Sequence, residues 1–152
     1  MGANGATLLL FEQDRATRQL YARELGRHWQ VLAAEDPAQC RELPLRQPVE
    51  QRVQAVVFEL GTGSNEEWEL LAEIVHWAAA AQAPVVVLSA IDARSQGYAL
   101  GVSAFLVKPV LPQQLIGEVA RWLGSQAQAN QRTRGDYVGA IPSSQSFPAQ
   151  DQ

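Results

Sequence analysis

Short apolar runs recur along the chain, and a stretch of helical length follows each one. The runs are Thr7–Phe11 (TLLLF), Trp29–Ala33, Val53–Leu60 (VQAVVFEL), Pro84–Ser89 (PVVVLS) and Ser103–Val107. Near-continuous apolar runs mark strands buried on both faces, as in a parallel sheet covered by helices. The intervening stretches supply those helices. Asp14 caps a helix over Arg15–Arg27, with Leu20, Tyr21 and Leu25 near one face and Gly26 as its stop. Asp36-Pro37 opens a short helix through Leu43, and Pro44 and Pro48 then bracket a loop. Ser64-Asn65-Glu66-Glu67 has capping-box spacing and starts a helix to about Ala81, with Leu70, Leu71, Ile74, Val75 and Trp77 inward. Asp92 caps a helix to Leu100, closed by Gly101. Leu111–Leu123 is the last helix, with Leu115, Ile116, Val119, Trp122 and Leu123 as its apolar positions. The expected fold is α/β, a (βα)5 doubly wound parallel five-stranded sheet with right-handed crossovers.

The 152 residues suit one domain, and 47% apolar residues suffice for its core. A net charge of −4 with no basic run speaks against a nucleic-acid binder. No run approaches the length of a membrane span. Met1–Thr7 lacks a charged n-region and an apolar h-region, so no secretory signal and a cytoplasmic location are expected. Cys40 has no partner for an internal disulfide, which fits a reducing compartment; it reads as a packed thiol, not a nucleophile. From 124 to 152 Gln, Ala, Ser, Gly and Pro dominate, so a flexible or disordered tail is expected after a domain over 6–123. Tyr137, Val138, Ile141 and Phe147 are its scattered apolar points, which leaves a linker or a short docking segment as readings.

In open parallel sheets, ligands bind beyond the carboxyl ends of the strands near a topological switch point. That rule selects Glu12 and Gln13 after the first strand, Glu59 ending the third, Ser89 ending the fourth and Lys108 ending the fifth. Lys108 is the one lysine in a chain that writes its other cations as arginine. A compact ammonium at a strand end suits phosphate or carboxylate oxygens.

At these positions the chain resembles the receiver domains of two-component response regulators (the CheY-like superfamily) over about Ala6–Leu123. Glu12-Gln13 stands where the family's acidic pair belongs, followed by the helix opening Asp14-Arg15-Ala16-Thr17-Arg18. Glu59 stands at the phospho-acceptor aspartate, Ser89-Ala90 at the Thr/Ser-Ala step, and Gly101–Pro109 matches the last strand with its Lys-Pro. Leu25-Gly26 and Ala34-Glu35-Asp36 fit the end of its first helix and second strand. The resemblance implies the flavodoxin/CheY-like strand order 2-1-3-4-5. It also gives Ser89, Phe105 and Lys108 as equivalents of the phosphate-contact and switch residues, and Glu12, Gln13, Asp14 and Glu59 as those of the acidic pocket.

The departures from the family bear on function. The family's Mg²⁺ is held by the acidic pair, the acceptor aspartate and a backbone carbonyl. Here Gln13 replaces a carboxylate, and Glu12 and Glu59 are each one methylene longer, so weak or absent Mg²⁺ binding is expected, with Glu12 and Glu59 as the remaining candidates. The longer arm of Glu59 displaces a nucleophile by roughly 1 Å, a scale that costs a rate ~10²-fold. Little or no phosphorylation is expected. Glu59 either imitates a phosphoryl oxygen and fixes the domain in one conformation, or is a polar strand end that pairs with Lys108. Burial favours an inward ring for Phe105.

Gly61-Thr62-Gly63-Ser64 opens a helix after the third strand, but its incomplete match to a dinucleotide fingerprint makes it a variable loop. His28 and His76 lack metal-pair spacing. Glu66, Glu67, Glu69 and Glu73 read as a solvated face, and an exposed Trp68 or Trp77 would mark an interface.

The leading expectation is a pseudo-receiver, not an enzyme and without a cofactor. It would bind protein partners through the fourth helix, fifth strand and fifth helix, about Asp92–Leu123. Partners implied by the family are a sensor kinase, an output domain acting in trans, or another receiver, including a second copy. One alternative is a working receiver that takes a phosphoryl group with Mg²⁺ gathered by Glu12, Asp14 and Glu59. Another is a flavodoxin-like ligand or cofactor binder, which the acidic Glu12-Gln13-Asp14 turn disfavours by repelling phosphate.

Overall fold

The longest apolar run takes the centre of the sheet. In the computed structural model, which describes residues 5–125, Val53–Leu60 forms β3. β1 (Thr7–Phe11) and β4 (Val85–Ser89) flank it, and β2 (Gln30–Ala34) and β5 (Ala104–Val107) form the edges, giving the all-parallel order β2-β1-β3-β4-β5. The central strands carry branched and aromatic residues that pack on both sides. Leu9, Phe11, Val56, Phe58 and Val87 face a cluster built with α2 (Pro37–Glu42), α3 (Asn65–Ala81) and α4 (Arg94–Leu100). Leu8, Leu10, Val57, Val86 and Leu88 face α1 (Arg15–Leu25) and α5 (112–125) through Tyr21, Leu25, Leu115 and Val119. This is the expected doubly wound sheet, with strand alternation sending successive side chains to opposite layers. No described helix is long and apolar enough to cross a membrane.

Several boundaries differ from the sequence reading. β2 starts one residue late because Trp29 tucks under the sheet beside Leu25 and Ala6. β5 starts at Ala104; just before it Ser103 clasps Val85, donating its N–H to the Val85 carbonyl at 2.8 Å and accepting the Val85 N–H on its hydroxyl at 3.0 Å. Leu20 is exposed, so Tyr21 and Leu25 carry the buried stripe of α1. Asp92 does not cap α4. The N-cap is Ala93, without a side-chain bond, and Asp92 instead grips the Arg94 guanidinium at 2.7 and 2.8 Å. The loop after α2 contains 3₁₀ turns at Leu43–Arg46 and Val49–Gln51. Trp68 and Trp77 pack half-buried on the core, so neither stands out as an interface tryptophan. α5 runs past the expected stop at Leu123 to residue 125. The expectation of a mobile tail lies, beyond that point, outside the described residues.

α3 begins with a complete capping box. The Ser64 hydroxyl accepts the Glu67 N–H at 3.2 Å, and the Glu67 carboxylate returns to the Ser64 N–H at 3.2 Å. Ser64→Ala strands one N-terminal donor, so it should lower unfolding free energy by about 1 kcal/mol in urea titrations.

Candidate functional site

The chain order of the strands reverses between β1 and β3, since β1 leads outward to β2 and β3 returns on its other side. Phe11 pairs in register with Phe58, so the residues that follow, Glu12 and Glu59, emerge together at this switch point. Ser89 pairs with Val107, which brings Lys108 to the same rim. The Lys108 N–H holds the Ser89 carbonyl at 2.7 Å, tying the ends of β4 and β5.

The resulting cluster is one ammonium between two buried carboxylates. Lys108 Nζ lies 3.4 Å from Glu59 Oε2 and 3.6 Å from Glu12 Oε1. Glu12 is 1% exposed and Glu59 7%. Glu12 Oε2 accepts the Asp14 N–H at 3.1 Å, while Oε1, the oxygen nearer the ammonium, has no hydrogen bond among the described residues. Burial pushes the Glu12 carboxyl above its ordinary value; the Asp14 N–H opposes this, Glu59 adds to it, and Lys108 offsets only part. Desolvation is the largest single influence on Lys108 and works against its charge, but Glu12 and Glu59 together prevail and hold its pKa above the usual value.

The other expected site residues do not join this cluster. Gln13 is exposed and lines a separate groove between α2 and α3, beside Ser64 and Glu66. Asp14 caps α1: its carboxylate accepts the Thr17 N–H at 2.9 Å and hydroxyl at 2.7 Å, bonds that lower its pKa. The Ser89 hydroxyl turns back to the Ile91 N–H at 3.1 Å. Arg18 steadies the rim by donating to the carbonyls of Glu12 and Gln13 at 2.9 and 3.3 Å. Mg²⁺ wants near-octahedral oxygen ligation. The rim offers two carboxylates, both already facing an ammonium, and no group of three or more His, Cys, Asp or Glu among the described residues is placed to hold a metal.

The glycine turn after β3 is filled by the protein itself. Glu67 Oε1 receives the N–H groups of Gly63 and Ser64 at 2.6 and 3.2 Å and the Thr62 hydroxyl at 3.3 Å. Gly63 has φ +77°, which favours glycine. A carboxylate four residues on was the signal that this anion cradle is occupied from within.

Phe105 on β5 points inward and is 4% exposed. Its ring sits in a notch at Gly97 of α4, where an added Cβ would stand 2.6 Å from Phe105 Cδ2. The Phe105 N–H, on an edge strand, donates to the Tyr98 hydroxyl at 3.1 Å. The sequence reading missed both Gly97 and Tyr98. A glycine within a helix, opposite an aromatic strand residue, was the available signal.

No protein-family model matches the sequence, and no curated protein matches it. Solved structures do share its fold. A CheY-like response regulator receiver domain from Methanospirillum hungatei JF-1 superposes with TM-score 0.70 at 16% identity, covering 82% of this chain and 98% of that one. The Vibrio cholerae chemotaxis protein CheY4 matches with TM-score 0.65 at 18% identity, over 76% and 97% of the two chains. NtrX from Brucella abortus matches with TM-score 0.72 at 21% identity, over 85% of this chain and 29% of its own. The fold is thus that of the CheY-like receiver domains.

Lys108→Met leaves two buried carboxylates without their cation and should cost about 2 kcal/mol at neutral pH, less than for a fully buried pair because the lysine is partly exposed. Glu12 has a raised folded pKa, so its contribution to stability is complete below its ordinary 4.5 and is lost as pH rises through the folded value. Lys108 is also raised, so its contribution holds below 10.5 and is lost only above that. Urea denaturation as a function of pH should therefore show Glu12→Gln flattening the decline above pH 4.5 and weakening the alkaline limb as well, because Glu12 is one of the two carboxylates that hold Lys108 up.

Proposed function

We propose that this protein is a pseudo-receiver, a two-component-type signalling module that works by binding other proteins and not by taking a phosphoryl group. The single observation that carries this is the Lys108 ammonium held between Glu12 and Glu59. In a receiver fold that rim is where charge would change; here it is already set by side chains. Glu59 serves as a permanent carboxylate partner for Lys108. The module needs no metal or cofactor and performs no catalysis, and a cytoplasmic location accords with its single buried thiol.

Partners bind at the face of α4, β5 and α5. A groove of ≈ 390 Å³ runs there between Arg94, Leu106, Val107, Val110 and Glu118. Tyr98 and Leu111 beside it are 50% and 62% exposed. Apolar contacts flanked by opposite charges suit a protein surface. A sensor kinase, an output domain or another receiver, including a second copy, fits this chemistry.

The unbonded Glu12 Oε1 favours the second reading, a receiver that still takes a phosphoryl group with Mg²⁺. The two readings part in an amide NMR titration with Mg²⁺ and then beryllofluoride, a phosphoryl mimic. A pseudo-receiver leaves the signals of Glu12, Glu59, Ser89 and Lys108 in place. Saturable shifts there, spreading to Phe105 and α4, would restore the phosphorylated switch.

A further inference from the structure

At the opposite end of the sheet, an uncharged groove of ≈ 240 Å³ opens between the end of α3, the starts of β4 and β5, and α5. Ala78, Ala83, Gly101 and Pro84 line it with the Trp122 ring, and Gln82 and Ser103 add polar lining. Gly101 has φ +113°, and a Cβ there would already stand 3.2 Å from Val75 Cγ1. The Trp122 ring is held in place, since its Nε1 donates to Glu118 at 3.0 Å and the Arg121 guanidinium lies 5.1 Å from the ring centroid. Among the described residues no ionisable side chain lines the groove.

The chain continues from Ser125, within one helical turn of Trp122, to Gln152. Its next apolar cluster is Tyr137, Val138 and Ile141, between Gly135 and Pro142; residues 126–131 between are polar or alanine. From Ser125 to Tyr137 an extended chain spans roughly 40 Å, enough to return from the end of α5 to a groove that α5 itself walls. A tether of this kind presents the segment at an effective concentration of order millimolar, so modest apolar contact suffices.

We infer that the segment around Tyr137–Ile141 of this chain docks in the groove between α3 and Trp122, strapping α5 to the base of the sheet. A partner protein or a second copy would be the competing occupants. The inference stands apart from the phosphorylation question, because it involves the other end of the sheet.

A nitroxide on Ser143→Cys in the full chain tests this. Cys40 is fully buried, and burial pushes its thiol up to about 12, so it does not compete for the label. The docked segment should erase the amide signals of Ala79, Gln82 and Gly101 and the Trp122 indole signal, while those of Gln13 and Ile91 persist. The Tyr137→Ala/Ile141→Ala pair should restore the erased signals, and Phe147→Ala should not. Uniform or absent signal loss would overturn the inference. So would loss seen only between a labelled copy and a separate isotope-enriched copy, which would put a second chain in the groove.

Discussion

One ammonium between two buried carboxylates sets the terms for the rest of this structure. Two like charges at a low-dielectric rim repel strongly, and each has lost much of its water. Lys108 makes the pair tolerable but does not neutralise it, and Glu12 answers by becoming easier to protonate. The cluster exists because three strand ends meet there. The register of β1 with β3 puts Glu12 beside Glu59, and the register of β4 with β5 delivers Lys108. A slip of one residue in any of these pairs would turn the charged side chains into the apolar layers.

The rim and the face of α4, β5 and α5 are linked through β5. Lys108 ends the segment on which Phe105 is buried, and α4 receives the Phe105 ring at Gly97 while Tyr98 covers the strand's free N–H. Two contacts from neighbouring α4 residues therefore hold the same strand.

Much of this was legible from residues, for reasons that can be named. β1, β3 and α3 have the bounds read from sequence, because apolar runs and a capping box mark them without competition. The order of the strands came from resemblance, since periodicity says nothing of which edge a strand joins. Asp92 was misread as a cap because an arginine two residues on claims its carboxylate. Gln13 was grouped with Glu12 by the strand-end rule and by resemblance to an acidic pair; the structure places it exposed, lining the groove between α2 and α3. The Gly97 notch and the Tyr98 bond depend on contacts between α4 and β5, which no local pattern encodes, whereas the Glu67 cradle is local, set by a carboxylate four residues beyond Gly63.

We propose that the Glu12–Lys108–Glu59 cluster holds the domain in one conformation. Relaxation-dispersion NMR on the amides of Tyr98, Phe105, Leu106 and Val107 tests it most directly, because exchange between receiver states would fall on the microsecond-to-millisecond scale. The account predicts flat profiles for the unmodified protein at neutral pH. Concerted exchange at all four positions, with one shared rate, would contradict it.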